Sequence, residues 1–199
     1  MLLEDANRKL RASQQGPKSL DALPLIYILG DSGSAKTTLV QRSGLDPELV
    51  AGAVPQSGES VPTAVLNLWF TRQAALLEVG DSIRQSTGLL SRLVARTRAK
   101  AYRSAFGTGA AARGAVVCVS AEQLLLADGG AALMTSARTI GAQLREISRM
   151  LGAPVPVYVI ITKLDRVPHF EQYVRNLSNV EVAQIFGTPL PRTEVSAGV

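Results

Sequence analysis

The sequence has very few of the residues that build disulfide frameworks and metal centres. Its 199 residues include one cysteine and one histidine. The single Cys118 cannot form a disulfide within the chain, and this favours a reducing compartment. His169 has no second histidine and no neighbouring thiol to share a metal with, so the sequence gives no zinc-type ligand set.

Long hydrophobic runs are also lacking. The longest candidate, residues 155–162, is far shorter than the ~20 residues that a membrane span requires. The first residues carry no secretory signal, so we expect any membrane spans to lie outside this chain. A composition with 46% hydrophobic and 19% charged residues is typical of a globular protein. We assign residues 1–20 to a polar lead-in and residues 21–199 to one domain.

Acidic residues are absent between Ser82 and Ala121, although the chain carries a net charge of +5. The same segment contains seven basic residues, and we predict a long basic helix over residues 84–106, ended by glycines at 107–109. The charge fits a solvated helix face, an acidic protein partner or an anionic membrane surface. Nucleic acid is disfavoured because no aromatic interleaving or known binding module accompanies the charge.

Strands and helices are predicted to alternate along the chain. We expect strands at 25–29, 63–70, 74–79, 115–120 and 155–161, and helices at 36–42, 121–123, 131–151, 168–177 and 180–186. Residues 44–62 are predicted to form a long loop. This order indicates an α/β, three-layer P-loop NTPase fold of the small-GTPase type, with a mostly parallel central sheet.

Residues 30–37 differ by one residue from a phosphate-binding P-loop, Gly-x-x-x-x-Gly-Lys-Ser/Thr. Such a loop follows a strand, and its backbone N–H groups surround phosphates. Lys36 would contact the β- and γ-phosphates, and the Thr37 hydroxyl would bind Mg²⁺. The departure is Ala35, which replaces the second glycine. The predicted nucleotide-binding residues here are Gly30, Asp31, Ser32, Gly33, Ser34, Ala35, Lys36, Thr37 and Thr38.

A guanine-recognition motif is predicted at the end of the last strand. Thr162-Lys163-Leu164-Asp165 matches the Thr/Asn-Lys-x-Asp element of GTPases. The Asp165 carboxylate would accept hydrogen bonds from the guanine N1–H and 2-amino group, and the Lys163 stem would lie along the base. A charged surface turn is the alternative interpretation.

The switch segment of a GTPase, Asp-x-x-Gly after a strand, is altered here. Glu78 takes the position of the aspartate, and Asp81 takes the position of the glycine that binds the γ-phosphate. Ser82 follows, so no water-positioning glutamine is present. Thr63 is the candidate switch threonine, with an ordinary loop threonine as the alternative. We therefore predict Thr37, Thr63 and Glu78 as Mg²⁺ contacts, and Lys36 and Glu78 as catalytic residues.

These departures bear on activity. If position 35 requires a positive φ, an alanine there costs ~1–2 kcal/mol. Together with the altered switch, this predicts weak nucleotide binding and little turnover. Mg²⁺ with GTP or ATP is the expected cofactor if the site is functional, and none otherwise. The alternative is an active GTPase or ATPase whose missing groups come from a partner.

Taken in order, these segments resemble the IcmF/TssM family. The similarity covers about residues 23–190. The segments that carry it are Gly30 to Leu39, Thr63 to Thr71, Leu76 to Ile83, Gly114 to Ser120, Pro156 to Asp165, Pro168 to Phe170 and Ile185 to Thr188.

The resemblance implies the GTPase-like domain of the large inner-membrane component of type VI secretion systems. Such a domain lies between membrane spans of a larger protein, at the cytoplasmic face of the bacterial inner membrane. The implied partners are the other membrane-complex proteins and the baseplate, which makes a scaffold role the main expectation. A stand-alone small GTPase-like protein unrelated to secretion is a further alternative.

Overall fold

The computed structural model describes residue 8 and residues 20–53, 65–99, 101–104, 107–126, 129–182, 184 and 186–190. Most of the predicted lead-in lies outside the described residues, and so does Thr63, the candidate switch threonine. The structural statements that follow concern the described part of the chain.

A six-stranded sheet forms the centre of the molecule, in the order β2-β3-β4-β1-β7-β8. Strands β4, β1, β7 and β8 are parallel, whereas β3 is antiparallel to both β4 and β2. The strand bounds are β1 Leu25–Gly30, β2 Glu48–Ala51, β3 Leu66–Phe70, β4 Ala75–Val79, β5 Ala101–Ser104, β6 Gly107–Ala110, β7 Arg113–Ser120 and β8 Val157–Thr162. The predicted α/β fold with a mostly parallel sheet is confirmed.

Helices flank this sheet. Their bounds are α1 Lys36–Gln41, α2 Asp81–Arg84, α3 Thr87–Thr97, α4 Ala121–Leu125, α5 Gly129–Leu151, α6 Phe170–Arg175 and α7 Asn179–Val182. Helices α3 and α5 contact each other and cover one face through Leu93, Val94 and Ile147. Val40 of α1 packs on the other face against Ile28. Among the described helices, none has the length and hydropathy needed to cross a bilayer.

The sheet centre is buried on both faces because its strands consist of apolar residues without alternation. In β1, only Ile26 is not fully buried. The one polar end group, the Tyr27 hydroxyl, is 2.8 Å from the Thr97 Oγ1 of α3. This contact satisfies a buried polar atom and ties α3 to the strand that precedes the predicted P-loop.

The predicted long basic helix over residues 84–106 is wrong. Helix α3 ends at Thr97, Arg98 has extended backbone angles, and a β5–β6 hairpin follows. The Thr97 carbonyl accepts a hydrogen bond from Arg113 Nε at 2.9 Å instead of continuing the helix. This tertiary contact outweighs the local helix propensity. The seven basic residues therefore do not share one helix face.

Two smaller expectations also need correction. The predicted long loop at 44–62 contains β2, which pairs with β3 from Glu48 to Ala51. The strand predicted at 155–161 begins only at Val157, after Pro156, whose missing N–H cannot join the ladder.

Candidate functional site

The predicted P-loop joins β1 to α1 at the carboxyl end of the parallel strands, where α/β proteins bind their ligands. Gly30 has φ +147°, and a Cβ there would lie 2.5 Å from the Cys118 carbonyl oxygen. Only glycine fits this close approach to β7. Gly33 has φ +75°, and a Cβ there would meet no other atom within 4 Å. The loop is therefore anchored at its first residue and open at its centre.

Lys36 folds back over the loop. Its Nζ donates to the carbonyl oxygens of Gly30 at 2.8 Å and Asp31 at 2.9 Å. The side chain is buried, and burial lowers the pKa of the ammonium, with the charge of Arg84 lowering it further. The ammonium thus lies against the carbonyl groups of its own loop, close to where the sequence places phosphates.

Glu78 is fully buried near the end of β4, and three side chains of the described residues donate hydrogen bonds to it. Thr37 Oγ1 donates to Oε1 at 2.6 Å, and Asn67 Nδ2 and Trp69 Nε1 donate to Oε2 at 3.1 and 3.3 Å. Asn67 stands directly opposite Glu78 in the β3–β4 ladder. The structure therefore brings together two of the three predicted Mg²⁺ contacts, Thr37 and Glu78.

This donor set fits Mg²⁺ only together with phosphates. In phosphate-transfer sites, Mg²⁺ is held by one or two carboxylates together with phosphate oxygens and waters. Glu78 and Thr37 would supply one carboxylate and one hydroxyl, which is enough for the protein ligands of such a site. A site built from protein ligands alone is not present: the described residues contain no cluster of three or more His, Cys, Asp or Glu side chains suited to a metal.

Ala35 has a left-handed backbone with φ 58° and ψ 28°, and it precedes the first residue of α1 without forming a side-chain cap. The P-loop pattern has glycine at this position, where a positive φ carries no steric cost. The conditional expectation about Ala35 is met: the position does require a positive φ, and the alanine is strained.

Arg84, at the end of α2, is a residue of the site that sequence reasoning missed. Its guanidinium donates to the Gly30 carbonyl, to Asp31 Oδ1 at 2.7 Å and to Asp81 Oδ1 at 3.1 Å. The side chain is only 8% exposed. Arg84 therefore binds the first two residues of the loop to the altered switch segment.

Helix α5 completes this network. Ser136 Oγ donates to Asp31 Oδ2 at 2.5 Å, and Gln143 Nε2 donates to the Arg84 carbonyl oxygen at 2.9 Å. Burial acts to raise the pKa of the Asp31 carboxyl, but the hydrogen bonds from Ser136 and Arg84 outweigh burial and hold it below its usual range. Asp31 is thus an ionised carboxylate inside the predicted phosphate loop.

Only part of the predicted guanine-recognition motif lies beside the loop. The Thr162 hydroxyl lies 3.0 Å from the Ser34 carbonyl oxygen and 3.2 Å from the Val119 carbonyl oxygen, and these two acceptors share its one proton. Lys163 Nζ lies 2.5 Å from Glu122 Oε2. The Asp165 side chain is 69% exposed and pairs with Arg166 at 3.4 Å. Thr162 therefore joins the two motifs, whereas Asp165 remains at the surface.

The missed residues differ in how much sequence evidence each offers. The hydrogen bonds from Asn67 and Trp69 to Glu78 follow from the register of the β3–β4 pair. Once Phe70 is paired with Ala75, Asn67 lies opposite Glu78 and Trp69 lies two residues along the same strand. Arg84 follows the switch segment by three residues, but the charge pattern groups it with the basic stretch. Ser136 and Gln143 give no local pattern, because only the packing of α5 brings them to the loop.

Two comparisons with known proteins identify the family of this chain. The family model of the IcmF-related N-terminal domain matches residues 108–198. The chain is also similar to the type VI secretion system component TssM1 of Pseudomonas aeruginosa, at 32% identity over 186 residues. That alignment covers 90% of this chain and 16% of TssM1, so the chain spans about a sixth of its relative's length. The chain belongs to the IcmF/TssM family.

Proposed function

We propose that this chain is a docking module of a type VI secretion complex, built on a P-loop fold whose nucleotide site is weak. The module would act at the cytoplasmic face of the inner membrane, as part of a longer protein that carries the membrane spans. Its partners would be other membrane-complex proteins and the baseplate. Membership of a secretion-component family supports this role, and the similarity to TssM1 supports the type VI assignment.

The exposed edge strand β8 carries the docking proposal. Val157, Tyr158, Val159 and Ile161 are 41%, 66%, 50% and 47% exposed, on both faces of the strand. A continuous apolar strand is typical of a sheet interior, yet in the described part of the chain β8 is the last strand of the sheet. Exposed apolar patches mark interaction sites. We propose that an extended apolar segment of a secretion-complex protein pairs with this edge.

A weak nucleotide site is proposed alongside docking. Lys36 would contact the phosphates of GTP or ATP, and Thr37 and Glu78 would hold Mg²⁺, which neutralises phosphate charge when bound. Three features lower the expected affinity. Ala35 is strained, the Asp31 carboxylate lies inside the loop, and the Asp165 side chain points to solvent and pairs with Arg166.

A second candidate function is an active GTPase or ATPase that gates assembly. The 2.6 Å contact between Thr37 and Glu78 favours it, because these two side chains are already positioned to share an ion. A partner would then have to supply the group that orients the attacking water, since Ser82 occupies the usual glutamine position.

A secretion assay in cells separates the two functions. In the full-length protein, the double variant Tyr158→Lys, Val159→Lys should abolish type VI secretion while the protein accumulates normally, and Lys36→Ala should preserve secretion. Met134→Lys on α5 is the matched control, because Met134 is also apolar and 57% exposed. Loss of secretion with Lys36→Ala, but not with the β8 variant, would refute docking as the main function.

A further inference from the structure

Three buried side-chain atoms in the described residues have no hydrogen-bond partner: Ser34 Oγ, Arg84 Nε and Gln143 Oε1. All three belong to the loop or to the residues that hold Arg84 against it. Buried polar atoms are nearly always paired in native proteins. Because Arg84 donates to Gly30 and Asp31 of the loop and Gln143 donates to the Arg84 carbonyl, we expect a polar ligand or water to complete this network.

Two cations also converge on one loop atom. Lys36 Nζ and Arg84 Nη1 both donate to the carbonyl oxygen of Gly30. Like charges so close together repel each other, and here Asp31 and Asp81 offset the guanidinium charge. A polyanion would satisfy both cations, and would then compete with the Asp31 carboxylate for Arg84.

We propose that Arg84 is a phosphate-binding residue supplied by the chain itself, and that Asp31 is an internal anion that competes with nucleotide for it. The phosphate recognised would be the terminal phosphate of a nucleoside triphosphate. Arg84 follows the switch segment, and in P-loop proteins that segment faces the γ-phosphate. A guanidinium presents paired donors that match phosphate oxygens.

The exchange would begin from contacts that Arg84 already makes. Arg84 already contacts Gly30 and Asp31, and its Nε is free to donate. When a phosphate arrives, the Asp31–Arg84 hydrogen bond would be replaced by hydrogen bonds from Arg84 to the phosphate, and Ser136 would still hold Asp31. The inference rests on the proposed nucleotide site and adds its selectivity for triphosphate over diphosphate.

Calorimetric titration of the 199-residue chain with Mg-GTP, Mg-GDP and Mg-ATP tests the proposal. Asp31→Asn should tighten triphosphate binding by about tenfold, the equivalent of one charge-assisted hydrogen bond, with little effect on diphosphate. Arg84→Met should abolish the triphosphate preference, and Arg84→Lys should retain part of it. Arg96→Met, which removes an exposed arginine of α3, is the matched control and should change nothing.

The outcomes separate this proposal from the site on which it depends. Binding that requires Lys36 but does not change in Arg84→Met would overturn the role of Arg84 and leave the nucleotide site standing. No binding of any nucleotide at millimolar concentration to Asp31→Asn would overturn both. Circular dichroism checks that each variant is folded, and Arg84→Lys keeps the test valid if Arg84→Met does not fold.

Discussion

Ala35→Gly tests the strain in the loop directly. Ala35 has φ 58° and ψ 28°, a conformation that disfavours residues carrying a Cβ and that glycine adopts freely. The substitution removes one methyl group from a half-buried position, and no side-chain hydrogen bond of the cap is lost. We therefore expect glycine to stabilise the folded chain.

The magnitude follows from two opposing effects. Relief of the left-handed strain is worth ~1–2 kcal/mol. The greater freedom of glycine in the unfolded chain costs about 0.4–1 kcal/mol. The net gain in the free energy of unfolding is about 0.5–1 kcal/mol, which corresponds to a rise in Tm of roughly 1–4 °C for a chain of this size.

Urea denaturation measures this change, with the m-value as a check that the unfolding transition is the same. Ala95→Gly is the matched control, because Ala95 is exposed in the middle of α3 and has an ordinary helical backbone. That substitution should destabilise by about 1 kcal/mol. If Ala35→Gly destabilises the chain as Ala95→Gly does, the left-handed conformation at position 35 is refuted.

Other predictions concern the buried groups around the loop. Glu78→Ala should lower the free energy of unfolding by about 2–5 kcal/mol in urea titrations, because the Asn67 and Trp69 donors lose their buried acceptor. Glu78→Gln keeps an acceptor oxygen and should lower the free energy of unfolding by less. Asp31 has a lowered folded pKa, so its stabilisation is complete above its ordinary pKa of 3.8 and is lost as the pH falls through the folded value. The stability advantage of wild type over Asp31→Asn should therefore be constant from pH 7 to about 5 and vanish in acid; an advantage that grows in acid would contradict this. Burial raises the pKa of the Cys118 thiol to about 11, so an aromatic disulfide reagent at pH 8 should modify it only after unfolding.

The sequence predicts those parts of the site that depend on short stretches of chain. An apolar strand followed by Gly30 and Lys36 defines β1, the loop and α1 without tertiary information, and the structure places each at nearly the expected bounds. Glu78 is predictable because it lies near the end of a predicted strand, as the switch carboxylate does.

The features that sequence reasoning missed depend on distant contacts. Arg84 becomes buried only because α2 turns it towards Gly30, 54 residues away in the chain. The end of α3 depends on Arg113, which reaches the Thr97 carbonyl from β7. Propensity and charge patterns contain neither contact, and for this reason they predict a single helix from residue 84 to 106.

The proposed docking edge on β8 and the predicted phosphate loop are connected by a hydrogen bond. Thr162 is the last residue of β8, and its hydroxyl donates to the Ser34 carbonyl inside the loop at 3.0 Å. A partner strand paired with β8 would restrict the same backbone that positions this hydroxyl, and a ligand in the loop would restrict the carbonyl that it contacts. If each ligand binds more tightly to a particular Thr162–Ser34 geometry, the two binding events are coupled. By linkage, each ligand then changes the affinity of the other by the same factor. The proposed nucleotide site would therefore be coupled to the proposed docking edge, even when no hydrolysis occurs.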